Sequence, residues 1–439
     1  HGGEAIAGYK GGGGFFTSSA VLLLNSFLRG LGSPKSYSSA TIDQSAKFVT
    51  HGRLGLWPPG KPPTSRVDVM LLVGTNPMVS VNPPFDVRNP VKRMKEARAR
   101  GMKLIVIDPR RSETAAFADL HLQPLPGEDA NVIAGLHHII LRAGWYDTDF
   151  CAAHVGDLEA LRAAVAPFTP EYVAARADVP ADLLYQAARL FTAKGLRPLA
   201  GSSTGPDMGP HSNAAEHLIE ALNVICGALV KEGEQIANPG AILPRYPRKA
   251  QVIPAPRWWE SGPKSRIDGS GYIGEEMMTG VMADEILTPG PGQVRALIVH
   301  GGNPASAVPD QRKIVRALRA LDLLVCIEPS NSITAELADY ILPPLMQYER
   351  PDLPFWLYEY MIYQDEAYTR YTPAVAAPPA GSKLVDDWYV FWGLAKRLGT
   401  PLDYLGEALD LNAPPTTEEL LARVARHAPV SYEEIKKHE

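Results

Sequence analysis

The sequence predicts an α/β protein of two related doubly wound, Rossmann-like αβα domains with mostly parallel sheets, related by a pseudo-two-fold axis. Residues 67–77 and 103–110 are short runs rich in Val, Ile and Leu, separated by a helix-like interval. This is the pattern of a β-α-β unit with buried parallel strands. Residues 294–304 and 323–330 repeat both runs. A repeat with so long a period indicates two domains rather than a solenoid.

The two copies remain aligned beyond their strands. Each first strand ends in Gly-x-Asn-Pro, at residues 74–77 and 301–304, and each second strand ends in an acidic residue followed by proline. Three further pairs align without gaps: Asp108 with Glu328, Thr114 with Thr334, and Asp119 with Asp339. Ligands of doubly wound sheets bind outside the carboxyl ends of the strands. We therefore expect one binding crevice in each half.

Composition indicates an ordinary globular protein. The 439 residues are 45% hydrophobic and 21% charged, and the formal net charge of −5 gives no reason to expect a nucleic-acid or acidic-membrane surface. No apolar run approaches the roughly 18 residues of a membrane span. Cys151, Cys226 and Cys326 are far apart, which argues against a disulfide framework and a cysteine-bound iron–sulfur cluster within this chain.

Two turns rich in small residues are candidates for contact with phosphate. The glycines at positions 11–14 precede a predicted helix over residues 18–31, and such a run lets a ligand approach the backbone closely. A third strand, residues 197–205, ends at Gly205 and leads to His211. The alternatives are a flexible loop for the first turn and an ordinary tight turn for the second.

Helix signals organise the remainder of the chain. Asp129 is a suitable N-cap for a helix over residues 130–143, and further helices are predicted to start at Asp157 and Thr169. The proline- and glycine-rich stretch 232–272 is predicted to be a long connection between domains. Residues 405–439 are predicted to be helical and polar.

The paired Gly-x-Asn-Pro and Asp/Glu-Pro…Thr…Ala-Asp units resemble the molybdopterin oxidoreductases of the dimethyl sulfoxide reductase and formate dehydrogenase family. The resemblance covers essentially the whole chain. It includes residues 31–34, 342–344 and 431–435, and the Pro126-Gly127 element with Asp129.

In that family, two molybdopterin guanine dinucleotides clasp one molybdenum or tungsten ion, and each α/β domain binds one guanine nucleotide. The resemblance implies that one nucleotide site is lined by Gly74, Thr75, Asn76, Asp108, Arg110, Thr114, Asp119, Gly127 and Asp129. It implies that the other is lined by Gly302, Asn303, Pro304, Glu328, Thr334 and Asp339. Gly205 and His211 are the further candidates for cofactor contact. Glycines admit a pyrophosphate, and acidic residues at strand tips accept hydrogen bonds from ribose or guanine.

The family's metal ligand precedes a His-Gly pair, and Thr50 occupies that position here. Ser, Cys, selenocysteine or Asp is usual, so Thr50 implies either a weak hydroxyl ligand or a metal held by dithiolenes and an oxo or hydroxo group. His51 is the implied proton carrier near the metal. A lone histidine is, however, more often structural. Glu128 and Glu328 are further departures, since Thr and Asp are usual there.

Two elements of the family lie outside this chain. They are the N-terminal four-cysteine segment, where the 4Fe-4S cluster is expected, and a C-terminal cofactor domain. Because the chain starts with His1 and shows no leader, we expect a fragment or a processed form, cytoplasmic by default, with a periplasmic location left open. The predicted domains are residues 1–42 with 235–405, and residues 43–234. Residues 406–439 would form a helical edge.

The implied function is that of a molybdenum- or tungsten-bis(molybdopterin guanine dinucleotide) oxidoreductase. It would transfer an oxygen atom, or a hydride or proton–electron pair, to or from a small substrate, and would pass electrons to an iron–sulfur subunit or another electron-transfer partner. Tyr348, Arg350 and Trp356 are candidates for a substrate funnel, with core packing as the alternative. The rival functions are a non-catalytic scaffold of the complex I large iron–sulfur subunit type and a non-redox hydratase on the same fold.

Overall fold

Two parallel β-sheets, one on each repeat, form the framework of the protein. The computed structural model describes residues 1–238, 240–242, 249–354 and 367–438. The strands are β1 (Ile6–Lys10), β2 (Ser36–Ser38), β3 (Val69–Val73), β4 (Lys103–Ile107), β5 (Leu120–Leu122), β6 (Pro198–Ser202), β7 (Ala296–His300), β8 (Leu323–Ile327), β9 (Tyr340–Ile341), β10 (Asp403–Tyr404) and β11 (Glu407–Ala408).

The two sheets have matching strand orders. The first is β5-β4-β3-β6 and the second is β9-β8-β7-β1-β2, with parallel pairing throughout both. The repeated strands β3 and β7 occupy equivalent interior positions. β1 and β2, from the start of the chain, pair into the second sheet. The predicted fold class is confirmed, whereas the predicted domain limits stay a prediction.

Helices cover the sheets and connect their strands. They are α1 (Gly12–Phe15), α2 (Leu23–Gly30), α3 (Ala40–Asp43), α4 (Ser45–Leu54), α5 (Pro77–Ser80), α6 (Pro90–Ala99), α7 (Asp129–Ala143), α8 (Thr148–His154), α9 (Leu158–Val165), α10 (Pro170–Ala177), α11 (Ala181–Phe191), α12 (Thr204–Asp207), α13 (Ser212–Ile225), α14 (Trp258–Ser261), α15 (Met282–Leu287), α16 (Pro304–Ala307), α17 (Gln311–Arg319), α18 (Ile333–Glu336), α19 (Asp387–Leu398), α20 (Thr417–Val424) and α21 (Tyr432–Ile435). Within the described ranges, none of these helices has the length and apolar character needed to cross a bilayer.

Alternate residues of the first sheet face two different apolar cores. Leu71 and Ile105 pack with residues of α7 and α11, whereas Leu72 and Val106 pack with Met94 of α6. A strand that is buried on both faces needs an uninterrupted apolar run, which is why β3 reads Val-Met-Leu-Leu-Val. Each such side chain contributes about 1.5–3 kcal/mol when it is fully buried.

Side-chain caps set the predicted helix starts in the middle of the chain. The Asp157 carboxylate accepts a hydrogen bond from the Ala160 N–H at 2.8 Å, and the Thr169 hydroxyl accepts one from the Tyr172 N–H at 3.2 Å. These two predicted starts are confirmed. The prediction for Asp129 is wrong by one residue, because Asp129 is the first helical residue of α7 rather than its cap.

Two other predicted helices are shorter than expected. Residues 18–22 form turns and α2 begins at Leu23, because the Ser18 N–H and hydroxyl bind the Asp352 carboxylate (3.2 Å) and the Leu353 carbonyl (2.5 Å). The last part of the chain contains the β10–β11 hairpin and loops as well as α20 and α21. It is therefore helical only in part.

Asp119 and Asp339 bind backbone N–H groups at the amino-terminal edges of the two sheets. The Asp119 carboxylate accepts a hydrogen bond from the Leu104 N–H at 2.8 Å, and the Asp339 carboxylate accepts one from the Leu324 N–H at 2.7 Å. Each aspartate precedes an edge strand, so it lies opposite the carboxyl ends where ligands bind. The expectation that these two residues line nucleotide sites is therefore wrong.

We predict that Asp119→Ala and Asp339→Ala each lower the free energy of unfolding by about 1.5–3 kcal/mol, since each removes a charged acceptor from a backbone N–H. Urea denaturation measures this. Asp322→Ala, which removes only the surface ion pair with Arg295, is the control and should change stability by less than about 1 kcal/mol. If Asp119→Ala and Asp339→Ala also changed stability by less than about 1 kcal/mol, the structural role of these two residues would be contradicted.

The effect of Asp119→Ala should also depend on pH. Burial raises the pKa of Asp119, but hydrogen bonds from Arg98 and the Leu104 N–H outweigh it, so the net shift is downward. A carboxylate with a lowered pKa stabilises the fold above its usual pKa and loses that effect as the pH falls through the folded value. The stability difference between wild type and variant should therefore shrink below about pH 4.

Candidate functional site

We call the part of the chain built on the sheet β5-β4-β3-β6 the first half, and the part built on the sheet β9-β8-β7-β1-β2 the second half. In the first half, the turns that follow β3 and β6 are in contact through glycine backbone. The Gly205 N–H donates to the Gly74 carbonyl at 3.2 Å. A Cβ on Gly205 would lie 2.5 Å from that carbonyl oxygen, and Gly74 has a φ of 53°. Both positions therefore require glycine, and they leave backbone exposed at the carboxyl edge of the sheet, where a phosphate can approach closely.

Asn76 fastens the turn after β3 to the loop after β4. Its carboxamide oxygen accepts hydrogen bonds from the Thr114 N–H at 3.1 Å and the Thr114 hydroxyl at 2.7 Å. Its amide nitrogen donates to the Glu113 carboxylate at 2.7 Å. Thr75 is buried beside it, and its hydroxyl has no hydrogen-bond partner among the residues that the structure describes.

Acidic groups converge on the remainder of the first crevice. The Asp108 carboxylate accepts a hydrogen bond from the Arg110 N–H at 2.8 Å. A Cβ on Gly127 would lie 2.8 Å from Pro210, so the Gly127 turn packs against the segment before α13. Burial raises the pKa of Asp129, and the nearby Asp108 carboxylate adds to that rise.

His211 is exposed at the start of α13, with a φ of 62°. It lines a cleft together with Asn131, Tyr172 and His217, and it directly follows Pro210, which packs against the Gly127 turn.

The second crevice repeats the asparagine–threonine pair of the first, although the Asn303 amide donates to the Ser306 hydroxyl at 3.1 Å rather than to a carboxylate. The Asn303 carboxamide oxygen accepts hydrogen bonds from the Thr334 N–H at 3.2 Å and the Thr334 hydroxyl at 2.7 Å. The Glu328 carboxylate accepts one from the Ser330 N–H at 3.1 Å, as Asp108 does in the first half. Pro304 begins α16, whose Ala305 N–H donates to the Thr334 hydroxyl at 3.0 Å.

The glycine run at residues 11–14 belongs to this second crevice. The Gly11 N–H donates to the His300 carbonyl, and the Gly13 N–H donates to the Gly301 carbonyl, both at 2.9 Å. A Cβ on Gly302 would lie 2.9 Å from the Tyr9 ring. The run therefore occupies the position that the Gly205 turn has in the first half.

The two crevices differ in their surroundings. Where β3 ends in Val73, β7 ends in His300, whose Nε2 lies 2.8 Å from the Asp387 carboxylate in the protein interior. Burial raises the pKa of Glu328, His300 opposes the rise and Asp387 adds to it. Burial also raises the pKa of Asp386 to about 6, against the influence of Arg350.

Thr50 and His51 lie near the end of α4. Thr50 is 1% exposed, and within the described part of the chain its hydroxyl has no hydrogen-bond partner. His51 opens onto a cleft of about 450 Å³ whose walls include Trp57, Phe150 and Glu220. Desolvation lowers the pKa of His51, and Glu220 opposes this shift. In the described ranges, no group of three or more His, Cys, Asp or Glu side chains is arranged to hold a metal ion.

A lysine that the sequence analysis did not single out connects α4 to the first crevice. Lys47 lies one helical turn before Thr50 and donates to the Ser203 carbonyl at 2.9 Å, to the Asp207 carboxylate, and to the Glu216 carboxylate at 3.2 Å. We call these four residues the Lys47 cluster. The sequence signal that could have identified this cluster is the acidic pair Asp207 and Glu216, which follows the third predicted strand as Asp108 follows the second.

The three candidates for a substrate funnel are placed differently from one another. Arg350 is buried and donates to the Asp352 carboxylate at 2.8 Å and the Thr17 hydroxyl at 2.9 Å, so its expected funnel role is replaced by a structural one. Tyr348 is exposed. Trp356 lies outside the described residues. The clefts beside His51 and His211 are lined mainly by residues of the first half.

Comparison with known proteins assigns the family. The family model described as molybdopterin oxidoreductase matches residues 1–363. The chain belongs to the molybdopterin oxidoreductase family. The resemblance stated above is thereby confirmed.

Similar proteins in this family have diverse names. The chain is 25% identical over 355 residues to the F420-dependent formate dehydrogenase subunit alpha of Methanocaldococcus jannaschii, covering 76% of this chain and 47% of that protein. It is 27% identical over 333 residues to the acetylene hydratase of Syntrophotalea acetylenica, covering 70% and 43%. The chain therefore spans less than half the length of these two relatives.

A solved structure supports the fold. The acetylene hydratase from Pelobacter acetylenicus superposes with a TM-score of 0.71 at 22% sequence identity, covering 90% of this chain and 56% of that one.

We predict that Gly205→Ala lowers the free energy of unfolding by about 1–3 kcal/mol, because the new methyl group overlaps the Gly74 carbonyl and the turns must separate. Gly156→Ala is the matched control, since a Cβ there meets no atom within 4 Å. Thermal and urea unfolding measure both variants. Equal stability of the two would show that the glycine contact does not constrain the crevice.

We predict that Asp386→Asn gains stability relative to wild type as the pH rises from 4 to 6.5. The folded pKa of Asp386 is about 6, above the value near 4 of an unfolded chain, so the wild type loses stability across this window and the variant does not. The gain should reach about 2–3 kcal/mol. Asparagine can still accept the hydrogen bond from Thr417. Urea denaturation at several pH values measures the stability of both proteins. If their stabilities changed in parallel with pH, the raised pKa of Asp386 would be contradicted.

Proposed function

We propose that this chain forms part of the catalytic subunit of a molybdenum- or tungsten-bis(molybdopterin guanine dinucleotide) oxidoreductase, with one guanine nucleotide in each crevice. The observation that carries the proposal is the duplicated cradle. The Asn76–Thr114 and Asn303–Thr334 contacts have the same two hydrogen bonds at distances that agree within 0.1 Å. Two equivalent cradles in one chain are suited to two copies of one ligand.

The residues present fit such a group. The glycine turns at Gly74–Gly205 and Gly11–Gly301 bring backbone so close that a side chain would fill the space. The buried Thr75 and Thr50 hydroxyls have no hydrogen-bond partner among the described residues, so each can still bind a ligand atom. Asp108 and Glu328 offer carboxylate oxygens at strand tips, suited to ribose hydroxyls or guanine N–H groups.

The assigned roles follow from these positions. When bound, the cofactor supplies redox chemistry at its metal, and the protein supplies orientation and electrostatics. Thr50 is the candidate protein neighbour of the metal. We assign the role of proton carrier to His51, which lines the cleft and whose neutral ring can accept a proton. Asn76 and Asn303 hold the turns that receive the two nucleotides.

The reaction class remains open to one alternative with specific support. A non-redox hydratase is favoured by the likeness to proteins named acetylene hydratase. An oxidoreductase is favoured by the relatives named formate dehydrogenase, whose designation as subunit alpha also supports a partner that carries electrons. A 4Fe-4S cluster would lie outside this chain. A non-catalytic scaffold is disfavoured, because such a protein has no need for two matching cradles.

We predict that the protein, expressed in a host that makes the cofactor, contains molybdenum or tungsten by plasma mass spectrometry and pterin by fluorescence after oxidation. Asn76→Ala and Asn303→Ala should each lower the affinity for guanosine diphosphate at their own crevice about tenfold, which corresponds to roughly 1.4 kcal/mol. Calorimetry measures this. Asn412→Ala, an exposed asparagine outside both crevices, is the control. If the wild-type protein contained neither metal nor pterin, the proposal would be overturned.

A further inference from the structure

The Lys47 cluster joins the candidate metal position to the first crevice. α4 carries Thr50 and His51, and its contacts with neighbouring elements include the Lys47 side chain, the Ala46 and Lys47 N–H groups that face Asp207, and the Gly52 carbonyl, which accepts a hydrogen bond from Arg257 at 2.7 Å. The Lys47 ammonium has three N–H donors, and the cluster uses all of them: one on the Ser203 carbonyl, one on Asp207 and one on Glu216. Ser203 and Asp207 flank Gly205, and Glu216 lies on α13. One side chain thus connects α4, the glycine turn and α13.

The cluster is costly to open because its acids are buried. Asp207 is 4% exposed and Glu216 is 2% exposed, and the Lys47 ammonium forms an ion pair with each of them. Removing Lys47 would leave two buried carboxylates without their cation, which is destabilising. The connection between α4 and the turn is therefore stiff, and a displacement of one element is transmitted to the other.

The Gly205 turn is also part of the first crevice. The Gly205 N–H binds the Gly74 carbonyl, and Gly74 begins the turn that contains Asn76. A ligand that orders this pair of turns therefore also orders Ser203 and Asp207. Through Lys47 the ordering reaches α4, one helical turn before Thr50.

We propose that Lys47 is a positioning residue that couples the first nucleotide crevice to the helix bearing Thr50 and His51. Filling the crevice orders that helix and thereby sets the position of the two candidate active-site residues. The inference rests on the proposed function in one respect, the binding of a guanine nucleotide in this crevice. The four residues of the Lys47 cluster all belong to the first half, so the second crevice provides an internal reference.

The test is hydrogen–deuterium exchange on the full chain with guanosine diphosphate as the probe. In the wild type, the nucleotide should slow exchange in the turns at residues 74–77 and 203–207 and also in α4. In Lys47→Met, protection of both turns should persist, and the protection that the nucleotide gives to α4 should fall at least fivefold. Lys47→Arg, which keeps the charge and the donors, should restore most of it.

Matched variants separate coupling from loss of the fold. Lys313→Met removes a lysine of similar exposure, 33% against 27%, that binds Asp284 in the other half, and it should leave the response of α4 unchanged. The double variant Lys47→Met/Asp207→Asn removes one positive and one negative charge together. It should recover stability relative to Lys47→Met but not recover the protection of α4.

A second readout is the pH dependence of stability. The groups that face Lys47 or Asp207 are Asp43, His51, Ser203, Glu216 and the backbone N–H groups of Ala46 and Lys47 at the start of α4. The Ser202 hydroxyl donates to Glu216. Burial already raises the pKa of Asp207 and Glu216, and Lys47 opposes the rise. Without Lys47 these carboxyls bind protons more readily. The urea midpoint of Lys47→Met should therefore fall further below wild type at pH 8 than at pH 5.5.

The possible failures are distinguishable. If guanosine diphosphate protects neither crevice of the wild type, the nucleotide assignment fails and the coupling fails with it. If it protects the turns but leaves α4 unchanged in the wild type, or protects α4 equally in Lys47→Met, the coupling is overturned and the proposed function stands. Protection confined to the second crevice would overturn the role of the Gly205 turn.

Discussion

The structure depends on one hydrogen-bonded pair that occurs twice: an asparagine carboxamide that accepts both the N–H and the hydroxyl of a threonine. Asn76 and Thr114 join the ends of β3 and β4, and Asn303 and Thr334 join the ends of β7 and β8. Each pair fixes the spacing of two adjacent strand ends. Parallel strands place all their binding residues at one edge, so this spacing sets the shape of each crevice.

Sequence pattern was sufficient for features that follow from local chemistry or from repetition. The apolar runs predicted β3, β4, β7 and β8, and the duplicated Gly-x-Asn-Pro motif predicted two matching sheets. Cap residues such as Asp157 gave helix starts because an N-cap acts within three residues of itself. The family followed from the repeated motif, and the match to a family model agrees with it.

Features that depend on the third dimension were missed or misplaced. Asp119 and Asp339 align with each other and resemble ligand residues, yet each directly precedes a short edge strand, β5 or β9, that the apolar pattern did not predict. Without those strands the sequence did not place the two aspartates at the amino-terminal edge. Arg350 was a candidate for a substrate funnel but is buried against Thr17, more than 300 positions earlier along the chain. The Lys47 cluster joins α4, the turn after β6 and α13. The position of Asp207 and Glu216 after the third predicted strand could have marked them as candidates, but no periodicity or spacing showed that Lys47 contacts them.

The two halves repeat the same fold, but their crevices have different surroundings. Both crevices keep the backbone turns and the asparagine–threonine pair, which any nucleotide tail would require. Their charged surroundings have diverged: Arg110 and Glu113 in the first correspond to Ser330 and Ile333 in the second, and Val73 corresponds to His300. The first crevice has exposed charges, and Lys47 connects its Gly205 turn to α4. The second is backed by the buried His300–Asp387 pair, whose partners are fixed within the interior. Two chemically equal ligands would therefore meet unequal electrostatic environments, and only the ligand in the first crevice would be coupled to the residues at its side of the proposed metal.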